Sequence, residues 1–374
     1  MESAFLAALL LAQDPDAVSQ KEVDAAIRKG VEYLKTAPSG ADWVHPNCDE
    51  LILLTLVAAG MPETHPVFDR YLRKCLAAPL ERTYKAACLA MALEELDPSY
   101  YQMKLAQCAQ FLLDNQAKNG QWSYGVPTDV TNFEFVEGRR TGTRPGGVVD
   151  FEAGPRERKK PARAVVVSQR RTRYDVGDNS NSQYAALGLR ACHDANLRMP
   201  LQVIQAARDW WRDSQWPDES GARAGKAAVA SGGLAPAIQG WSYQRPGVGD
   251  QTAPTRGMTA GALGARVIYD SMLGLDWKKD PVVEAGARWL GKHFVASPSM
   301  YYLYAVERAG MLYGTARFGD HDWYWKGAKV LVRGQNADGS WGRDEKAEKN
   351  TWDTCFAVLF LKKATRAIAT GGRR

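Results

Sequence analysis

The sequence predicts an all-α chain folded as a six-fold α/α toroid, a closed ring of six helical hairpins. Three observations carry the prediction. A two-helix unit recurs six times between residues 20 and 366, which is the signature of repeat architecture. In each unit the first helix is amphipathic and the second is apolar nearly all round, so the second cannot face water. A Gly-rich turn, often bearing Trp, joins many of the helices. Second helices inside and first helices outside satisfy all of this. An open solenoid is the alternative, but its last unit should carry a polar cap; here that unit ends in the apolar run "CFAVLFLKK".

The first hairpin begins at about Lys21 to Thr36, where Val23, Ala26, Ile27, Val31 and Leu34 share one face. It turns through "SGADW" into "CDELILLTLVAAG". The second is "HPVFDRYLRKCLAA" with "RTYKAACLAMALEEL". The third is "YQMKLAQCAQFLLDNQ", which turns at "AKNGQWSYG" and resumes, after an insertion at 126–176, as "DNSNSQYAALGLRACHDA". The fourth pairs "LQVIQAARDWWRDSQ" with "TRGMTAGALGARVIYDSML", through a loop that ends in "QGWSY". The fifth pairs "PVVEAGARWLGKHFV" with "SMYYLYAVERAGMLYG", and the sixth pairs "DWYWKGAKVLVRGQ" with "NTWDTCFAVLFLKKAT". Almost no chain is left for strands.

The net charge of +6 invites a nucleic-acid reading until its location is considered. Between Gly138 and Arg173 the excess is +8, so the rest of the chain stands at −2 and carries no basic face. The excess falls in a Gly/Pro-rich stretch without helical or strand period, as in a flexible insertion. A solvated loop and an anion-attracting flap that touches a membrane surface are its two readings. Nucleic acid is not expected as a partner. The six Cys have no C-x-x-C pair, and four lie in apolar helical runs, where Cys acts as a small hydrophobe. The five His lack metal spacing, so neither a disulfide framework, a metal nor a cofactor is expected. Residues 1–19 form an extension whose apolar stretch Ala4 to Ala12 suits a signal-peptide core but lacks the leading basic residue. Export and cytoplasmic retention are both open. Residues 367–374 read as a disordered tail.

The turns carry a more specific signal. In "QNADGSWG", Asp-Gly supplies a tight reversal, Gln335 can bond freed backbone groups at a helix end, and Trp341 can wedge between hairpins. "NQAKNGQWSYG" repeats the order with Gln116, Gly120 and Trp122. The run "KGAKVLVRGQNADGSWG" resembles the repeat of the squalene and hopene cyclases, shared more loosely with protein prenyltransferase β subunits. The resemblance spans roughly residues 20 to 366 and is nearest to compact single-toroid bacterial members. It implies a helical toroid and an isoprenoid or lipid-like ligand in its centre.

The chemistry of those families is less evident. Hopene-type cyclases protonate an alkene with a D-x-D-D acid, which is absent here; the nearest matches are "DVGDNSN" and "GDHDW". Prenyltransferases hold zinc with D-x-C and a distant His. "WDTCF" offers Asp353 and Cys355, but no His follows, and Asp353 capping the last helix with Cys355 packed in it is the simpler reading. Asp178, His321, Asp322 and Asp353 are therefore the candidate acids and bases. Asp178 also suits the N-cap of the helix it precedes. Polar and aromatic residues at the expected starts of inner helices form a candidate ligand mouth: Asn179, Asn181, Gln183, Tyr301, Tyr302, Trp323, Tyr324 and Trp352. A small apolar or amphiphilic ligand is the expected partner. Two functions follow from this: an isoprenoid cyclase or transferase, or a non-catalytic binding or scaffold protein that keeps the fold.

Overall fold

The computed structural model describes residues 17–39, 47–130, 161–172, 174–219, 236–250, 252–343 and 347–368. Most of the expected extension 1–19, the centre of the insertion and the end of the tail lie outside them. Helix accounts for 57% of the structure and strand for 4%, so the class is all-α. Twelve α-helices run in pairs among the described residues: α1 (Gln20–Thr36) with α2 (Asp49–Ala58), α3 (Pro66–Ala77) with α4 (Thr83–Leu96), and α5 (Gln102–Asp114) with α6 (Asn179–Asp194). They continue with α7 (Leu201–Asp213) and α8 (Arg256–Met272), α9 (Pro281–His293) and α10 (Met300–Tyr313), and α11 (Trp323–Gly334) and α12 (Ala347–Leu361). Two short strand pairs join connections: β1 (Val165–Val166) parallel to β2 (Leu197–Arg198), and β3 (Arg317–Phe318) antiparallel to β4 (His321–Asp322).

The two kinds of helix differ as their patterns require. On α1 burial is confined to the stripe Val23, Ala26, Ile27, Gly30, Val31 and Leu34, and Ser19 with Glu22 closes a capping box at its start. On α6 every residue from Asn179 to Leu189 is buried, and on α10 every residue from Tyr302 to Gly310. Each even-numbered helix packs on the next, α2 on α4 and so on through α10 on α12, and α12 packs on α2. The odd-numbered helices lie against them: α3 on α2, α5 between α4 and α6, α7 and α9 on α8, α11 on α10 and α12, and α1 on α12.

A single device ties these pairs three times over. The Trp122, Trp241 and Trp341 rings are fully buried, and their indole N–H groups donate to the Leu112, Trp211 and Leu331 carbonyls near the ends of α5, α7 and α11. Their main-chain N–H groups donate to hydroxyls of the following helix, Ser182 and Thr259 in the first turns of α6 and α8 and Thr354 in the middle of α12. A Gln at each helix end then crosses to the next odd-numbered helix: Gln116 to the Val203 carbonyl, Gln215 to Val282 and Gln335 to Ala26. Sequence reasoning had Gln335 serving freed groups at its own helix end; it bonds the Gly339 carbonyl in its turn and also reaches the second turn of α1. Gly30 and Gly286 permit the wedge, since a Cβ there would stand 2.7 and 2.6 Å from the Trp341 and Trp241 rings.

The flanks of the insertion are anchored. Asp114, at the end of α5, accepts from the Arg170 backbone and guanidinium and from Thr128. A buried ionic knot joins α7, α8 and α9: Arg208 pairs with Asp270 at 2.5 Å, and Arg266 with Asp280 at 2.7 Å.

Candidate functional site

A charged side chain on a helix without a solvent face must find its partner inside the protein. Arg308, in the middle of α10, is such a residue, being 2% exposed. Its guanidinium lies 4.3 Å from the Tyr304 ring centroid and 4.9 Å from that of Tyr184, a cation–π sandwich. Among the described residues no carboxylate forms an ion pair with it. Instead its Nη2 donates to Gln183 Oε1 at 2.8 Å.

Gln183 begins a chain of hydrogen bonds. Its Nε2 donates to the Tyr301 hydroxyl at 2.8 Å, Tyr301 bonds Tyr84, and Tyr84 bonds Ser180. The Ser180 hydroxyl donates to Asp178 Oδ1 at 2.5 Å. The buried cation is thus joined to an N-cap carboxylate through a relay of neutral dipoles, each polarising the next. Burial pushes the Tyr84 hydroxyl well above its ordinary value and Tyr184 up to about 12, so all of these phenols are neutral. Burial opposes the Arg308 charge, yet its pKa still lies above the ordinary guanidinium value and it stays protonated.

Beside the Tyr84 and Tyr184 rings lies a cavity of about 20 Å³, walled also by Trp352 and Phe356. That is room for about one water. Lys85 and Glu50 also line it, 6% and 4% exposed. Tyr304 faces a second cavity, of about 60 Å³, lined by Glu94, Arg190, Asp194 and Arg366. The segment after α12 crosses here: Thr365 gives both its N–H and its hydroxyl to Glu307, a fully buried carboxyl that burial pushes up to about 7.

The predicted residues divide between several places. Asp178 caps α6, accepting from the Asn181 backbone at 2.8 Å and its side chain at 2.7 Å. Gln183 and Tyr301 join the relay, and Trp352 walls the smaller cavity. Asn179 is fully engaged elsewhere, taking bonds from Gln121 and Trp210 and giving one to the Ser242 carbonyl. Tyr302 faces Val295 and Arg256 instead.

His321, Asp322, Trp323 and Tyr324 do not open an all-buried helix, as their grouping assumed. They open α11, which is amphipathic, and its neighbours are α10, α12 and α1 rather than α6. His321 stacks on Phe294 with ring centroids 5.1 Å apart, and Asp322 caps α11 through the Trp325 N–H. Trp323 donates to the Thr315 carbonyl and Tyr324 to that of Leu361. Asp353 lies inside α12 rather than at its start, half-buried beside the Gly342 turn. The four candidate acids and bases are therefore spread over the starts of α6 and α11 and the middle of α12, and Asp322 lines a separate cavity of about 350 Å³ with Trp323, Tyr324 and Trp325.

Tyr84, Tyr184, Lys85 and Glu50 were missed as site residues. The signal was present: each is an ionisable or hydroxylated residue within a helix that is apolar all round. Burial pushes the Cys88 and Cys355 thiols up, so both stay neutral, and among the described residues no cluster is placed to hold a metal. Compared with known proteins, the chain matches no family model and has no counterpart among curated sequences.

Proposed function

We propose that the chain is a six-fold α/α toroid of the squalene-cyclase and prenyltransferase type that acts as a non-catalytic binding or scaffold protein. The cyclic order of the even-numbered helices, with α12 against α2, supports the ring, and so does the Gln335 bond back to α1. The repeated Gln and Trp ties support the kinship. The observation that carries the functional reading is Arg308 between Tyr184 and Tyr304.

Isoprenoid cyclisation needs a large apolar chamber whose aromatic faces stabilise a carbocation. Here those faces already hold a permanent guanidinium, which would repel a second cation. The spaces beside it, about 20 and 60 Å³, admit only a few waters. The competing reading, an isoprenoid cyclase or transferase, would need at least two of Asp178, His321, Asp322 and Asp353 on one deep pocket.

The test is product analysis by gas chromatography and mass spectrometry after incubation with squalene and with farnesyl diphosphate. Unchanged substrate is expected. Any enzyme-dependent cyclic or transferred product that disappears in Asp178→Asn or Asp353→Asn would sink the reading.

A further inference from the structure

The smaller cavity carries an inference about what it takes, resting on the binding function proposed above. Glu50 lines it with an Oε2 atom that is buried and has no hydrogen-bond donor. The nearest cation is the Lys85 ammonium at 3.4 Å, too far for a good hydrogen bond. Lys85 spends one of its three donors on Asn47 Oδ1 at 2.9 Å. An acceptor without a donor and an ammonium with donors to spare thus face one small space. Its other walls are the rings of Tyr84, Tyr184, Trp352 and Phe356.

Electrostatics selects the group that can fill the gap. A cationic head would meet Lys85, and an anionic head would meet Glu50 with Asp49 close behind it. A like charge in so apolar a place is strongly disfavoured. A hydroxyl carries no net charge and both donates and accepts. It can give its proton to Glu50 and take one hydrogen bond from Lys85. Trp352 is half-buried, so the body attached to such a head can leave along an aromatic edge. We infer that this cavity is a binding site for an uncharged alcohol, whose hydroxyl bridges Glu50 and Lys85 and whose apolar body lies against Trp352 and Phe356.

A series of equal-length probes tests this: 1-hexanol, hexylammonium, hexanoate and methyl pentyl ether, titrated against the parent protein while the indole N–H resonance of Trp352 is followed. The alcohol is expected to bind at least tenfold more tightly than the other three. In Glu50→Gln hexanoate should gain on hexanol, and in Lys85→Met hexylammonium should gain. A charged probe or the ether equalling the alcohol, or no saturable binding by any probe, would overturn the inference. The parent protein alone decides the ranking, so a variant that fails to fold does not rescue it. Turnover of squalene or farnesyl diphosphate would instead count against the proposed function and leave this ranking untouched.

Discussion

At the scale of single residues, Arg308 is the most consequential side chain. A buried cation whose shortest hydrogen bond goes to one amide, with a longer one to the Tyr184 hydroxyl, makes a sharp asymmetry. Gln183→Leu leaves the guanidinium without its best acceptor and should cost roughly 3 kcal/mol or more. Arg308→Met replaces the cation by an apolar group of similar length and should cost far less. The double variant should then recover most of what Gln183→Leu loses; denaturant titration of all four proteins measures the coupling. Additive losses would mean that the relay is not a unit. Gly261→Ala offers an independent route, because its Cβ would stand 2.0 Å from Gln183 Oε1 and must displace the amide.

Glu307 is the second such residue. Burial is the largest cause of its raised pKa, about 7 against an unfolded value near 4.5. The folded state therefore holds this proton more tightly than the unfolded chain does. The stability that the bound proton gives is fully present below about pH 4.5 and is lost as pH rises through 7. By linkage the loss is roughly 3 kcal/mol. Melting temperature should fall between pH 5 and pH 8, and Glu307→Gln should flatten that slope. An unchanged slope would remove Glu307 from the account. That Arg308 and Glu307 need partners was legible from their place in an all-apolar helix; which groups they bond was not. The burial of Arg308 or Glu307 follows from α10 having no solvent face, but their partners Gln183 and Thr365 lie far along the chain. No local pattern reports such pairs.

At the scale of elements, the hairpins and their turns were legible because periodicity and turn chemistry are local. The Gln, Gly and Trp order predicted both the tight reversal and the wedge. It did not tell which helix each Gln would reach, since that depends on the neighbour. The run "GDHDWYW" misled for a related reason. A polar cluster before a helix marks a helix start, but the burial of the helix itself decides which layer it enters. Trp341 can be tested directly. Trp341→Phe keeps most of the apolar volume and loses the bond to the Leu331 carbonyl, so about 1 to 3 kcal/mol should go, chiefly from the stranded acceptor. Gly30→Val should cost at least as much, by driving a side chain into the Trp341 ring. Combined, the two should be clearly non-additive, because they act on one contact.

At the scale of the whole molecule, the proposed ring predicts one unfolding event. Because α12 packs on α2 and α1, no hairpin is terminal, and native-state hydrogen exchange should show α1 and α12 opening together with α6 and α8. An open array would instead fray from its ends. Early, separate exchange of α1 would contradict closure.

The Gln335 contact with Ala26 has a consequence for biosynthesis. The groups that complete the first helical layer are encoded more than three hundred positions later. While the chain is being made, the oily flank of α2 and the Gly30 notch stand uncovered until the final segment emerges. At about 5 to 20 residues per second, that interval lasts for tens of seconds. The nascent polypeptide therefore presents a sticky, unfinished edge for most of its time on the ribosome, and a chaperone that shields it should raise the yield of soluble product.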